Sequence, residues 1–260
     1  MIPFEDSFSL WQIYSNLGLI AFRANNPFEA IRYFQRCVQY GQQVYLSDSL
    51  GIVLMNMGLC HLLRGEIASA ERAFQQSSQR LQKMGNYRAL AMLHANMAML
   101  RMSQKRYDSA KKYAEQARLL DKRFGHPMTS YTYSLVESFL FADQDQPSLA
   151  LSRARTAFQI ARDRSFDYKR YEVTALLVEM LCRNGSLKDA SVLYDELKQA
   201  EGLEPAQEFA LEAAGAWLAI FYDKKDLAEA YRGRIRVLME GSIGLRPDVK
   251  YQYERIVDRL

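Results

Sequence analysis

Apolar and polar positions along this chain recur with the period of a helix. From Trp11 to Arg23 the apolar or small positions are Trp11, Tyr14, Leu17, Gly18 and Ala21. After a polar turn they resume at Ala30, Ile31, Phe34, Cys37 and Val38. Steps of three and four place each set on one helix face. Asn26 is a cap for the second helix, and Pro27 at its first position gives up no needed N–H. The pattern returns with Leu54, Met57 and Gly58 before the turn Arg64-Gly65-Glu66, and Ala70, Phe74 and Leu81 after it. It returns again on either side of Gln104-Lys105-Arg106 and of Asp145-Gln146-Pro147.

The repeat has a ruler. Ala30, Ala70, Ala110, Ala150, Ala190 and Ala230 stand at intervals of forty residues, each just after a polar turn. Helices joined by a short turn cross with axes about 8–10 Å apart, and a methyl is the most that fits at the closest point. In the fifth unit Gly185 ends the first helix, and Ser186 with Asp189 reads as a capping box. In the sixth, Asp226 with Glu229 has the same form. Pro247 opens a last helix with Tyr253, Ile256, Val257 and Leu260 on one side; lacking a partner, it is expected to cap the final pair. Forty residues less roughly six for connections leave about seventeen per helix, or about 25 Å. No strand-like alternation interrupts this. The prediction is an all-α chain: one domain, 1–260, a right-handed superhelical solenoid of six helix-turn-helix repeats. The repeats fall at about 8–47, 48–87, 88–127, 128–167, 168–207 and 208–246, with a C-terminal capping helix at 247–260.

Composition changes this picture little. At 260 residues and 49% hydrophobic the chain buries a substantial core, and six prolines and thirteen glycines are too few for a linker-rich protein. A net charge of +4 does not by itself direct the chain to nucleic acid or membrane. Cys37, Cys60 and Cys182 are odd in number and sit inside helical patterns, as reduced buried thiols do. Met1 to Asp6 lacks the regions of a secretory leader, and the longest apolar stretches fall short of the roughly 18 residues of a spanning helix. The expected location is cytoplasmic, with no membrane partner.

The recurring columns resemble the tetratricopeptide-repeat superfamily. They read Tyr14, Leu17, Gly18, Ala30, Phe34, Cys37 in unit one and Leu54, Met57, Gly58, Ala70, Phe74, Ser77 in unit two. Unit three has Met97, Ala98, Ala110, Ala114 and Ala117, whereas Ser138, Val178 and Leu218 replace the small residue in units four to six. A period of forty, against the family's usual thirty-four, is similar to its long-helix branch. That branch includes the kinesin light chains, Pins-type adaptors, the sensor domain of the bacterial maltose activator and the Gram-positive peptide-pheromone receptors. The resemblance implies that the first helix of each unit lines a concave groove and the second faces outward.

Nothing in the sequence announces a reaction. His61, His94 and His126 make no metal-binding spacing, and there is no phosphate-binding glycine loop or nucleophile elbow. The expectation is a non-enzyme with no cofactor and no metal. A basic stripe (Lys105, Arg106, Lys111, Lys112, Arg118, Lys122, Arg123, Arg153, Arg155, Arg162, Arg164) lies mostly on second helices. It reads as a solvated outer face or as a nucleic-acid surface, which would show steep salt dependence.

The more pointed candidates lie on the first helices. Asn16, Asn56 and Asn96 recur forty apart, and a side-chain amide carries both a donor and an acceptor for a peptide backbone. By resemblance to the kinesin light chains and pheromone receptors, such asparagines grip a ligand backbone; they also fit hydrogen bonding within the hairpin. The inner stripe includes Phe22, Met55, Leu59, Leu62, Met99, Met102, Leu135 and Phe139, with Glu172, Glu179 and Glu212 further on. Methionine suits an adaptable apolar groove, although such a stripe is also what inter-helix core looks like. The candidate partner-binding residues are therefore Asn16, Arg23, Met55, Asn56, Leu59, Asn96, Met99, Met102, Phe139, Glu172, Glu179 and Glu212. The reading is a peptide- or protein-binding adaptor or scaffold whose partner has apolar anchors and a basic end lying towards the acids. The alternatives are the sensing domain of a bacterial transcriptional or signalling regulator, and a nucleic-acid binder.

Overall fold

The computed structural model describes residues 4–24, 26–43, 47–164, 167–199, 202–241 and 246–259. Residues 1–3 of the leader reading and Leu260 of the last helix lie outside them. The described residues form thirteen helices and no strand. These are α1 Phe4–Arg23, α2 Pro27–Gln43, α3 Ser47–Leu63, α4 Ile67–Lys83, α5 Tyr87–Ser103, α6 Tyr107–Phe124 and α7 Pro127–Asp143. They continue as α8 Pro147–Asp163, α9 Asp167–Arg183, α10 Leu187–Lys198, α11 Pro205–Phe221, α12 Lys225–Met239 and α13 Pro247–Val257. Helices pack as antiparallel pairs from α1 with α2 to α11 with α12, and each pair packs on the next. Odd-numbered helices also touch one another (α3 on α5, α5 on α7, α9 on α11), so they line the inside of the solenoid.

The hairpins close on the small-residue columns. A Cβ added to Gly58 of α3 would lie 2.4 Å from the Phe74 ring of α4, and one on Gly18 would lie 2.5 Å from Phe34. Both rings are fully buried. Where Ser138 replaces the glycine, close contact survives because its hydroxyl donates to the Ala150 carbonyl at 2.9 Å in a buried site. The asparagine caps form as expected at Asn26, which accepts the Glu29 N–H at 3.2 Å.

The period holds for five units and then shortens. The inner helices end at Arg23, Leu63, Ser103, Asp143 and Arg183, but the sixth ends at Phe221, two residues early. Ala30, Ala70, Ala110, Ala150 and Ala190 are accordingly all fully buried, whereas Ala230 is exposed and Ala228 takes its place. The same slip moves the sixth turn, so Lys224 occupies the N-cap and Asp226 falls inside the first turn of α12. Ser186 does stand at the N-cap of α10, but its side chain makes no capping bond.

Each described turn between paired helices is made by one residue in the left-handed region: Gly65, Lys105, Asp145, Gly185 and Asp223. Only glycine takes this conformation without steric cost. Replacing Asp145 (φ 55°) by glycine is therefore expected to raise stability by about 0.5–1 kcal/mol, read as a higher urea midpoint. An unchanged or lower midpoint would show that the aspartate side chain holds the turn. Lys105 is the poorer choice for this test, because its ammonium pairs with Glu254 at 2.9 Å.

The last helix does more than cap. Val249 and Ile256 of α13 join Phe209, Trp217 and Ile235 in a core that closes the sixth unit. The helix also packs against α5, three units back. Eleven residues span about 16 Å, so the solenoid curls tightly enough to bring α5 and α11 within reach of one short helix.

Candidate functional site

A cavity of about 370 Å³ opens on the inner side where α1, α3, α5, α7 and α9 converge. Its apolar wall is built by Phe22, Met55, Leu59, Leu62, Met92, Met99, Met128 and Leu135. These positions meet because inner helices stack one repeat apart, so one face of each contributes to a common floor. Four polar side chains enter from the same helices: Asn56, Asn96, Ser103 and Thr132. Among the described residues, neither the Asn56 nor the Asn96 side-chain amide has a protein hydrogen-bond partner, and both are partly accessible.

One end of the cavity is charged. Lys169 and Glu172 of α9 pair at 2.5 Å, and opposite them Arg246 and Asp248, at the start of α13, also pair at 2.5 Å. Burial pushes the Asp248 carboxyl up, but the Arg246 guanidinium beside it more than reverses this and holds it below the ordinary carboxylate range. The cavity lining is thus largely apolar, with the two ionised pairs among it.

Of the candidates named from the sequence, Met55, Asn56, Leu59, Asn96, Met99 and Glu172 come together here. Asn16 and Arg23 are exposed on α1 and do not reach the cavity. Met102 is fully buried in the core and so offers no surface to a partner. Phe139 is buried too, its ring meeting Tyr251 of α13 edge-on at 5.6 Å between centroids. Glu179 is 5% exposed and taken by the chain's own Arg183 and Arg255. Glu212 pairs with Arg234 at 2.6 Å on the neighbouring α12. Met102, Phe139 and Glu179 are thus buried within the chain, Phe139 and Glu179 against α13, whereas Glu212 stays partly accessible beside Arg234.

Lys169, Thr132, Met128, Arg246 and Asp248 were not anticipated. The first three stand on inner helices and could have been found by extending the inner stripe. The last two carry no sequence signal, since only the return of the chain into the groove puts them there. The basic stripe is partly spoken for: Arg153 and Arg118 converge on Glu137 at 3.0 and 3.7 Å, and Lys105 is held by Glu254.

Two models of the tetratricopeptide repeat match the chain, one over residues 12–83 and one over 93–123. The two matches fall in the units that supply most of the cavity wall and together cover less than half of the chain. No curated protein matches it by sequence. Among solved structures, PilF of Pseudomonas aeruginosa superposes with a TM-score of 0.58 at 15% identity, over 98% of this chain and 100% of that one. A Rap protein complexed with competence and sporulation factor superposes with a TM-score of 0.71 at 12% identity, over 96% of this chain and 74% of that one. At these identities the likeness is one of fold, a helical-repeat solenoid. No helix among the described residues is long and apolar enough to cross a membrane.

Proposed function

We propose that this chain is a non-catalytic interaction scaffold that holds a peptide segment of a partner protein along its inner face. The observation that carries the reading is the pair Asn56 and Asn96, one repeat apart, with unpartnered amides in the wall of an apolar cavity. A buried amide with no partner costs free energy, and an amide that stays accessible beside apolar surface is set to pair with an incoming peptide group. Met55, Leu59 and Met99 supply adaptable apolar contact around it. The basic end of the partner lies towards Glu172, which lines the cavity. The tetratricopeptide repeats support a protein partner, and the Rap complex is one instance of this fold with a bound factor.

Each amide adds a backbone hydrogen bond of about 0.5–1.5 kcal/mol net. Replacing both by alanine is therefore expected to weaken binding about 5- to 150-fold. The probe is a set of peptides selected from a display library on the wild-type chain, titrated against each variant after circular dichroism shows it folded. Lys111→Glu, exposed on the outer helix α6, is expected to change affinity little. Loss of binding in Lys111→Glu with a silent asparagine pair would move the site to the outer basic face and end the groove reading.

A further inference from the structure

The acidic half of the groove already holds a ligand-like segment, and it belongs to the chain itself. Arg255 of α13 is 7% exposed and inserts its guanidinium between Asp143, the last residue of α7, and Glu179 of α9. Tyr251, one turn earlier, donates to Asp143 at 2.5 Å and accepts from Arg255 at 3.0 Å. The guanidinium also lies 5.1 Å from the centre of the Phe139 ring. The carboxyl-terminal end of α7 adds its partial negative charge to the same spot. Two carboxylates, an aromatic face and a helix end make a seat for one arginine.

From this we infer that the seat is the recognition site for a partner helix carrying an aromatic residue with an arginine four positions on, and that α13 is its resident competitor. The inference rests on the groove reading above and names the partner chemistry of its acidic end.

Two physical arguments support exchange. A buried ion cluster adds little net stability, yet emptying it leaves Asp143 without its cation and Glu179 with Arg183 alone. A segment without a guanidinium therefore meets a large penalty, while another arginine replaces Arg255 at almost none, which is selection by the cost of the wrong ligand. Moreover, α13 is an eleven-residue helix, too short to persist on its own in water, so it forms only while docked. Its advantages are attachment to α12, which gives it an effective concentration in about the millimolar range, and the core contacts of Val249 and Ile256. A partner overcomes that by adding contacts α13 lacks, in the apolar cavity beyond Arg246 and Asp248.

The test uses the full chain and a dye-labelled synthetic peptide with the sequence of residues 246–257, followed by fluorescence anisotropy. Arg255→Glu puts a third carboxylate into the seat and expels α13. The expected result is that this variant, folded by circular dichroism, binds the peptide at least tenfold more tightly than the wild type. A peptide carrying Arg255→Gln is expected to bind the same variant at least tenfold more weakly. Equal affinity of wild type and variant, or indifference to the arginine in the peptide, overturns the inference.

Should Arg255→Glu not fold, a second protein decides. Lys105 and Glu254 are about half exposed and pair at 2.9 Å, so Lys105→Cys with Glu254→Cys, joined by a short bismaleimide, locks α13 in place. The native Cys37, Cys60 and Cys182 are buried and spared. The unbridged form is expected to bind the peptide at least tenfold more tightly than the bridged form, and equal binding overturns the inference. The library-selected peptides of the groove test are separate probes, so failure of this inference is told apart from failure of the groove reading.

Discussion

Replacing Phe74 by alanine is expected to destabilise the chain by about 3–5 kcal/mol. Its ring is fully buried on α4 and lies against the backbone of α3 at Gly58, where a Cβ would come within 2.4 Å of it. Removing the ring leaves a hole between two helices that cannot collapse, because the turn at Gly65 fixes their separation. The converse change, Gly58→Ala, overfills the same space and is expected to cost about 1–3 kcal/mol. Since both act on one contact, Gly58→Ala with Phe74→Leu should cost less than the two singles added together. Urea midpoints of the four proteins decide it. Strict additivity would mean that glycine and ring do not share the space.

The second large effect is one of pH. His94 on α5 is 8% exposed beside the Tyr113 ring, and its Nδ1 has no hydrogen-bond partner among the described residues. Burial pushes the imidazole down to about 4, against an unfolded value of about 6.5. Between these values the unfolded chain binds the proton and the folded chain does not, so acid favours unfolding. The stabilisation from a neutral His94 is complete above about pH 6.5 and is lost as pH falls towards 4. The loss is about 2 kcal/mol by pH 5 and about 3 kcal/mol below pH 4. Followed from pH 7 to pH 5, the stability difference between wild type and His94→Gln should move by about 2 kcal/mol in favour of the variant. A constant difference would show that the imidazole is not held neutral in the fold.

Much of the fold was legible because a solenoid is built from near-neighbour contacts. Gly58 and Phe74 are sixteen residues apart, and the pairing of such columns repeats at a fixed interval. The slip in unit six escaped because Ala230 matches the ruler by residue type, while the two-residue shortening before α11 is visible only in the helix ends. Asn56, Asn96, Met55, Leu59 and Met99 were legible for the same reason as the fold, being one helix face read at one repeat. Met102 shows the limit of that reasoning. It lies three residues beyond Met99, on the same stripe, yet a small rotation about the helix axis buries it completely.

By itself, then, the amino-acid sequence determined what short-range physics determines here: helix periodicity, most of the turn positions, the small-against-aromatic columns, and the face that α3 and α5 share. It could not determine where α13 goes. Arg255 meets Glu179 across 76 residues and Asp143 across 112, and nothing local to Tyr251 or Arg255 distinguishes an end cap from a segment that re-enters the groove. That choice depends on the accumulated curl of five stacked repeats, a sum of small rotations that no one stretch encodes. Only the tertiary structure brings the ends of α5 and α7 and the side of α9 to one place, and so decides that Glu179, one of the acids expected to await a partner, is covered by the chain's own Arg255.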